Sequence, residues 1–447
     1  MHFQLALLWT DILIYILALA CMLFGIFAWR NPLLRESWRI VLQRPLAMVA
    51  LVVLIAYSLI GLLDSVHFHP ALPVVSLGQV FYSSRVESLF DVLISPLGQR
   101  EEQTYTAPFA IAAVHPSGYL IKALFAAVLK ALVIWVLLAQ FFVLCSAVGA
   151  KQKVSKQFVL MLRGKTVIAW RSIFITMALV LLVVFISLAL STIYHVMGTD
   201  KVGQDVFYQT LKSIRTGLLI GTLTTLFMLP FSIFFGTIAG YFGGWIDDAV
   251  QYIYITLSSI PGVLLITAAI LSLQIFIKDH PSLFPNLAVR ADARLLILCA
   301  ILGVTSWTDL CRLLRGETLK LRQIDFSQAA VVMGVSHYKI ILKHILPNVM
   351  HIILITVVLN FSALVLAEAV LSYVGVGVDP STISWGNMIN SARLELAREP
   401  VVWWPLCAAF IFMFMLVFCA NIFADAVRDA FDPRLRGVLK RSISLRI

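Results

Sequence analysis

Nine apolar runs, most of them about 20 residues long, dominate the sequence: about 5–28, 46–63, 123–149, 172–194, 216–240, 250–273, 294–308, 351–371 and 403–424. The hydrocarbon core of a bilayer is ~30 Å thick, and a helix of about 20 residues crosses it with every backbone polar group satisfied internally. A chain patterned this way is expected to fold as an all-α polytopic membrane protein with about nine transmembrane helices. Composition points the same way. Of the 447 residues 61% are hydrophobic and 13% charged, where soluble domains carry roughly 25% charged residues. A cytosolic enzyme, a disordered chain and a collagen-like chain are excluded. Cys21, Cys145, Cys299, Cys311, Cys407 and Cys419 show no Cys-x-x-Cys spacing and mostly lie inside apolar runs. Neither a zinc site nor a disulfide framework is expected.

The net charge of +11 could point to nucleic acid, but the placement of the charges argues for topology. Basic residues cluster in alternate loops. Arg30, Arg35, Arg39 and Arg44 form one group, and Lys151, Lys153, Lys156, Arg163, Lys165 and Arg171 the next. Arg312, Arg315, Lys320, Arg322, Lys339 and Lys343 form a third, and Arg428, Arg434, Arg436, Lys440, Arg441 and Arg446 the last. The positive-inside rule puts these loops and the C-terminus in the cytoplasm and the N-terminus outside. No nucleic-acid partner is expected; membrane lipid is. No basic residue precedes Arg30, so the first run is expected to be a retained span, not a cleaved signal peptide. Asp11 within it is expected to be interfacial. Lys130, in the middle of the third run, either faces a partner helix or an aqueous path, or snorkels, or marks a misplaced span boundary.

Residues 65–122 form the longest non-apolar stretch and are expected to be an external insert. It follows an N-terminal hairpin of two spans over 1–64 and precedes two further spans over 123–197. The run from Asp325 to Asn348 carries the most information. Asp325 or Ser327 can cap a short helix, with Ala329 and Ala330 small enough for close approach to another surface. Gly334 suits the left-handed position that ends a helix. Ser336 can cap a second helix holding Ile340, Ile341, His344 and Ile345, and Pro347 either closes it or opens the next span. The result is a helix–turn–helix elbow joined to a transmembrane helix, although an ordinary amphipathic loop has the same pattern.

Gln328-Ala329-Ala330, then Gly334, then His344-Ile345-Leu346-Pro347-Asn348 resembles the EAA loop of binding-protein-dependent ABC import permeases. Further blocks resemble the C-type permease subunit of the oligopeptide, dipeptide and nickel branch, and they occur in the family order over 198–436. They are Gly198-Thr199-Asp200 with Gly203 and Asp205; Gly243-Gly244-Trp245 with Asp247; Ser259-Ile260-Pro261-Gly262; Glu368 with Gly375 and Gly377; Ser384-Trp385-Gly386; and Asp432-Pro433-Arg434. The resemblance implies a five-helix type I ABC importer core over 198–436, a coupling loop over 325–348 and a cytoplasmic tail over 437–447. It also implies a bacterial inner-membrane location with a periplasmic N-terminus. The partners implied are a homologous B-type permease subunit, two ABC ATPase subunits and a periplasmic solute-binding protein. Two positions depart from the family: Gln328 stands where Glu is usual, removing a charge that could pair with a nearby base, and Gln204 where Arg is usual. The insert and the two spans after it are additions to the core, expected to modify assembly or binding-protein docking.

The chain is not expected to be an enzyme. A Walker A loop needs a glycine five positions before the second one, and Gly164-Lys165-Thr166 has Val159 there. ATP and Mg are therefore expected on the partner subunits, with no cofactor in this chain. His337, His344 and His351 recur every seven residues but read as packed or solvated side chains, with no metal site. Asp247 and Asp248 read as a charged turn at the membrane edge, and Glu368 either lines a path or is interfacial. No substrate-binding residue can be singled out. Di- or oligopeptides are the cargo the resemblance implies, with nickel or another peptide-like solute as the alternative. A secondary transporter would show inverted repeats or matching broken helices, and neither is visible.

Overall fold

A computed structural model of the chain describes residues 3–76, 79–83, 86–95, 103–112, 119–150, 153–162, 164, 166, 168–284 and 286–431. Asp432, Pro433 and the 437–447 tail lie outside the described residues. Strand β1 (Phe3–Leu5) is followed by α1 (Trp9–Arg30), α2 (Pro32–Gln43) and α3 (Pro45–Asp64). The insert contributes β2 (His67–Ser76), β3 (Gln79–Tyr82), β4 (Glu87–Ser88), the short helix α4 (Leu89–Leu93) and β5 (Ala110–Ile111). Next come α5 (Tyr119–Ala150), α6 (Val154–Leu162), α7 (Trp170–Ser191) and β6 (Tyr194–His195). Then follow α8 (Val206–Phe242), α9 (Gly244–Ser259), α10 (Gly262–Asp279) and α11 (Leu287–Arg322). The elbow comprises α12 (Asp325–Val332), α13 (His337–Ile340) and a π-helical turn at Ile341–Ile345. The chain continues into α14 (Leu346–Tyr373), α15 (Trp385–Glu395) and α16 (Trp404–Phe431).

Among the described residues eight helices are long and apolar enough to cross a membrane. They cover eight of the nine apolar runs. The seventh run, 294–308, forms the middle of α11, where Leu295, Leu298, Cys299, Leu302 and Trp307 are buried inside the protein. The sixth run also differs from its sequence reading. Proline disfavours helical geometry in the residue before it, and Ile260 is extended at ψ 129°. The helix therefore breaks at Pro261, and the span shifts to Gly262–Asp279. Pro230, by contrast, lies within a continuous α8.

One compact unit comprises Met1–Leu7, Tyr15–Thr216 and Ile383–Ile447. In it α3 packs against α7 and α16, and α5 against α7. Arg44 pairs with Asp429 at 2.7 Å, and the Tyr57 hydroxyl donates to the Phe412 carbonyl at 3.1 Å. The insert is a small antiparallel sheet in which β2 pairs with β1, β3 and β4, while β5 pairs with β6 (Ala110 opposite His195). A capping box at Ser88 and Asp91 starts α4. Asp91 also receives Lys212 at 2.5 and 2.6 Å and the Tyr208 hydroxyl at 2.7 Å. These contacts clamp the insert to the first turns of α8. Burial pushes the Asp91 carboxyl up, but the charge and hydrogen bonds of Lys212, with Tyr208 and Ser88, outweigh it and hold the carboxyl below its ordinary range.

The second unit comprises Leu8–Ile14 and Gly217–Thr382. Here α8 meets α11 backbone to backbone. A Cβ at Gly236 would lie 2.8 Å from the Cys311 carbonyl oxygen, one at Gly240 2.6 Å from that of Arg315, and one at Gly303 2.8 Å from that of Thr224. Only glycine permits this approach, the device by which small residues pack helices where water supplies no driving force. The Ser232 hydroxyl bonds across to the Trp307 carbonyl at 3.1 Å. Asp11, at the start of α1, is packed against the protein at 1% exposure. Its neighbour Thr10 donates to Asp292 from both its hydroxyl and its amide. Glu368 is likewise buried and accepts from the Ser372 hydroxyl at 2.7 Å.

Candidate functional site

The elbow is built from short helices whose inner faces share one core. Ala330, Ile340 and Ile345 are buried with Tyr241, Val250, Tyr254, Leu310, Cys311, Leu314 and Leu321, drawn from α8, α9 and α11. The turn between α12 and α13 closes on Gly334 at φ 76°. The Gly334 amide donates to the Val331 carbonyl at 2.9 Å and the Val335 amide to that of Ala330 at 3.1 Å, the pattern that ends a helix on a left-handed residue. Neither expected cap forms at the start of α12. Ile324 holds the N-cap position, Asp325 lies in the first turn, and Ser327 is turned inward with its hydroxyl buried. Asp325 still places negative charge where the helix dipole favours it. Ser336 precedes α13 but makes no capping bond with its side chain.

The two alanines face opposite ways. Ala329 is exposed and Ala330 is buried, so only Ala329 is available to another surface. The outward tip carries Val332, Met333 and Tyr338, which are 85%, 75% and 72% exposed. Beyond the tip, Pro347 begins α14 without an N–H and would crowd the carbonyl of Lys343 in a regular helix. The π-helical turn at Ile341–Ile345 falls on that residue, so the elbow runs into α14 without a hinge loop. His344 is half-buried, its ring 6.2 Å from that of Phe326, and Leu346 is half-buried while Pro347 is exposed.

Three straps tie the elbow end together. Asp247 follows the expected charged turn but is buried, and both its oxygens bond the Arg315 guanidinium, one of them at 2.6 Å. Hydrogen bonds from Arg315 hold its carboxyl below the ordinary range, against the opposing effect of burial. Gly243 at φ 67° and Gly244 at φ 57° make the turn that delivers Asp247 there. Next, Arg322 donates to the Phe242 carbonyl at 3.3 Å, and Gln328 donates from its amide nitrogen to the Arg322 carbonyl at 3.0 Å. A glutamate at 328 has no proton to give that carbonyl at neutral pH, so the departure from Glu creates a contact between the elbow and the end of α11. Last, the Tyr241 hydroxyl and His337 Nδ1 lie 2.7 Å apart. His351 Nδ1 lies 2.8 Å from the Asn348 carbonyl oxygen.

The Gly198–Asp205 block is a separate constellation in the other unit. Gly198 has φ 72°, and a Cβ on it would lie 2.5 Å from the Thr106 carbonyl oxygen. The Thr199 hydroxyl donates to the Gln103 carbonyl at 2.8 Å and accepts from the Thr106 amide at 2.8 Å. Asp200 accepts from the amides of Val202 and Gln204 at 2.8 and 2.9 Å, closing the loop. Gln204 shares the Gln209 side-chain amide with Asp200. Asp205 accepts from the amides of Phe207 and Tyr208 at 2.8 and 3.2 Å at the start of α8, and its other oxygen lies 3.1 Å from His195. The block is thus knotted to insert residues 103–106. Arg315 and Arg322 enter the sequence reading only as topology charges, and neither the bracing role of Tyr241 nor the glycines of the α8–α11 seam follow from it. The Gly-x-x-x-Gly spacing of 236 and 240 is the signal that finds the seam. Nothing local pairs Asp247 with a residue 68 positions away.

Residues 232–437 match the family described as binding-protein-dependent transport system inner membrane component. The chain is 34% identical over 249 residues, 56% of its length and 79% of the relative's, to the oligopeptide transport system permease protein OppC of Mycobacterium tuberculosis. It is 31% identical over 243 residues, 54% of its length and 71% of the relative's, to the protein of the same name in Haemophilus influenzae. With the dipeptide transport system permease protein DppC of Bacillus subtilis the identity is 29% over 242 residues, 54% of this chain and 69% of the relative.

Proposed function

Since the chain belongs to the family of binding-protein-dependent transport system inner membrane components, we propose that it is one permease half of an ATP-driven ABC importer for short peptides. The observation that carries this reading is the elbow. Its inner face is fixed in the core with α8, α9 and α11, its tip presents Val332, Met333 and Tyr338 outward, and it continues without a hinge into α14. A partner gripping the tip would move a membrane-spanning helix with it. In this reading Gln328, Ala329 and Gly334 belong to the surface and turn that meet an ATPase subunit, while Ala330, His344, Leu346 and Pro347 hold the elbow's shape. Gly243, Gly244 and Asp247 brace it.

Two ATPase subunits bind and hydrolyse ATP with Mg, a homologous B-type permease supplies the other half of the pathway, and a periplasmic binding protein delivers the cargo. The lack of a Walker A loop in this chain supports that division of labour. The core runs over 198–436, with the elbow, the 437–447 tail and the C-terminus in the cytoplasm. The N-terminus and the 65–122 insert lie outside, preceded by the 1–64 hairpin and followed by the 123–197 pair. This topology requires α11 to supply the ninth crossing, enclosed by protein. Gly198, Thr199, Asp200 and Asp205 then fasten the insert to the outer start of α8, and Glu368 lies toward the outer end of α14. Peptide as cargo rests on the names of the relatives. The test is uptake of labelled di- and oligopeptides by a strain lacking this chain. Uptake lost on deletion and restored by the chain supports the proposal, and uptake unchanged by deletion would overturn it.

A further inference from the structure

Lys130 is a charge where the bilayer tolerates few. It is exposed on α5, beside Leu129, Leu132, Val133 and Leu137, all of them exposed as well. Its depth follows from how α5 lies on α7. Trp135 Nε1 donates to the Phe174 carbonyl at 2.9 Å, and the Phe142 and Trp170 rings are 5.7 Å apart. The helices are therefore antiparallel, and the middle of α7, near Leu181, stands level with about residue 130 of α5. The 22 residues of α7 span about 33 Å, close to the ~30 Å of a hydrocarbon core. Lys130 thus lies about 16 Å from either end of the span, farther than four methylenes can carry an ammonium.

Among the described residues Lys130 makes no hydrogen bond or ion pair. A lone ammonium at this depth is costly, and such residues normally face a partner or an aqueous cavity. We propose that the outward face of α5 around Lys130 is an intramembrane docking surface for a transmembrane helix of another protein that carries an Asp or Glu at the same depth. Charge complementarity selects this occupant. A second copy of this chain meeting the same face would bring Lys130 against Lys130, and lipid tails offer no acceptor. Ala123 and Ala126 lie on the same helical stripe as Lys130 and let a partner backbone approach. The surface is independent of the transport reading, because neither the elbow nor the Gly198–Asp205 block contributes to it.

The test places a photo-cross-linking amino acid at Val133 of the full chain in its native membrane, with cross-linked peptides identified by mass spectrometry. The expected product joins α5 to an apolar span with a central Asp or Glu. Its yield should fall about tenfold in Lys130→Leu and further in Lys130→Glu, and exchanging the partner's carboxylate for Lys should restore it in Lys130→Glu. Lys130→Leu makes the helix more apolar, so insertion is not at risk. Cross-links only to lipid, only to another copy of this chain or only to a span without a central carboxylate would overturn the proposal. So would an unchanged yield in Lys130→Leu.

Discussion

Replacing Gly334 tests whether the elbow works through its backbone. The residue has φ 76°, and a Cβ built on it meets nothing within 4 Å. A side chain here is therefore not excluded by space; the penalty is conformational. Left-handed backbone costs an L-residue about 1–2 kcal/mol, enough to lower the population of the intact elbow by about 5–30-fold. Asn tolerates this region far better than Ala or a β-branched residue. The expected order of transport is Gly, then Asn, then Ala, then Val, although Asn and Val differ little in size. The assay is initial peptide uptake and peptide-stimulated ATP hydrolysis by the purified complex in proteoliposomes, with co-purified ATPase subunit measured alongside. Both rates should fall together while membrane abundance stays constant. Wild-type rates in Gly334→Val, or an Asn variant as impaired as Val, would refute the argument from backbone strain.

Other perturbations probe the surrounding framework. Asp247→Asn should lower thermal stability of the purified protein at neutral pH by about 1–3 kcal/mol. Because Arg315 depresses the Asp247 carboxyl, its stabilisation is complete above about pH 3.9 and fades as pH falls through the lower folded value. The difference between variant and parent should shrink only in that acid range, and a gap independent of pH would contradict the pairing. Gly240→Ala forces a Cβ to 2.6 Å from the Arg315 carbonyl oxygen and should cost about 1–3 kcal/mol by overpacking. Gly316→Ala, with nothing within 4 Å, should be neutral or better in the same melting experiment. In a background without the native cysteines, an impermeant thiol reagent applied from outside should label Gln103→Cys and spare Ser155→Cys; the reverse would invert the topology.

The apolar runs and the Gly334 turn are legible in the sequence because both rest on local rules, segment length in one case and a single backbone conformation in the other. The short seventh run is apolar for a different reason than its neighbours: Leu295, Cys299 and Trp307 serve packing within the protein, which hydropathy does not distinguish from facing lipid. The burial of Asp11 is hidden for a similar reason, since only the fold reveals that the start of α1 lies with Asp292. The two alanines of the elbow read alike, yet one is core and one is surface. Their facing is set by where α8, α9 and α11 converge. Long-range pairs such as Asp247–Arg315 and Asp91–Lys212 have no local signature at all.

The central claim is that the elbow tip meets an ATPase subunit and moves with it. A photo-cross-linking residue at Val332, the most exposed apolar side chain of the tip at 85%, tests it directly in the assembled complex. The account predicts a specific cross-link to the ATPase subunit whose yield changes between nucleotide-free and ATP-bound states. Absence of that cross-link in a complex that still transports peptide would contradict it.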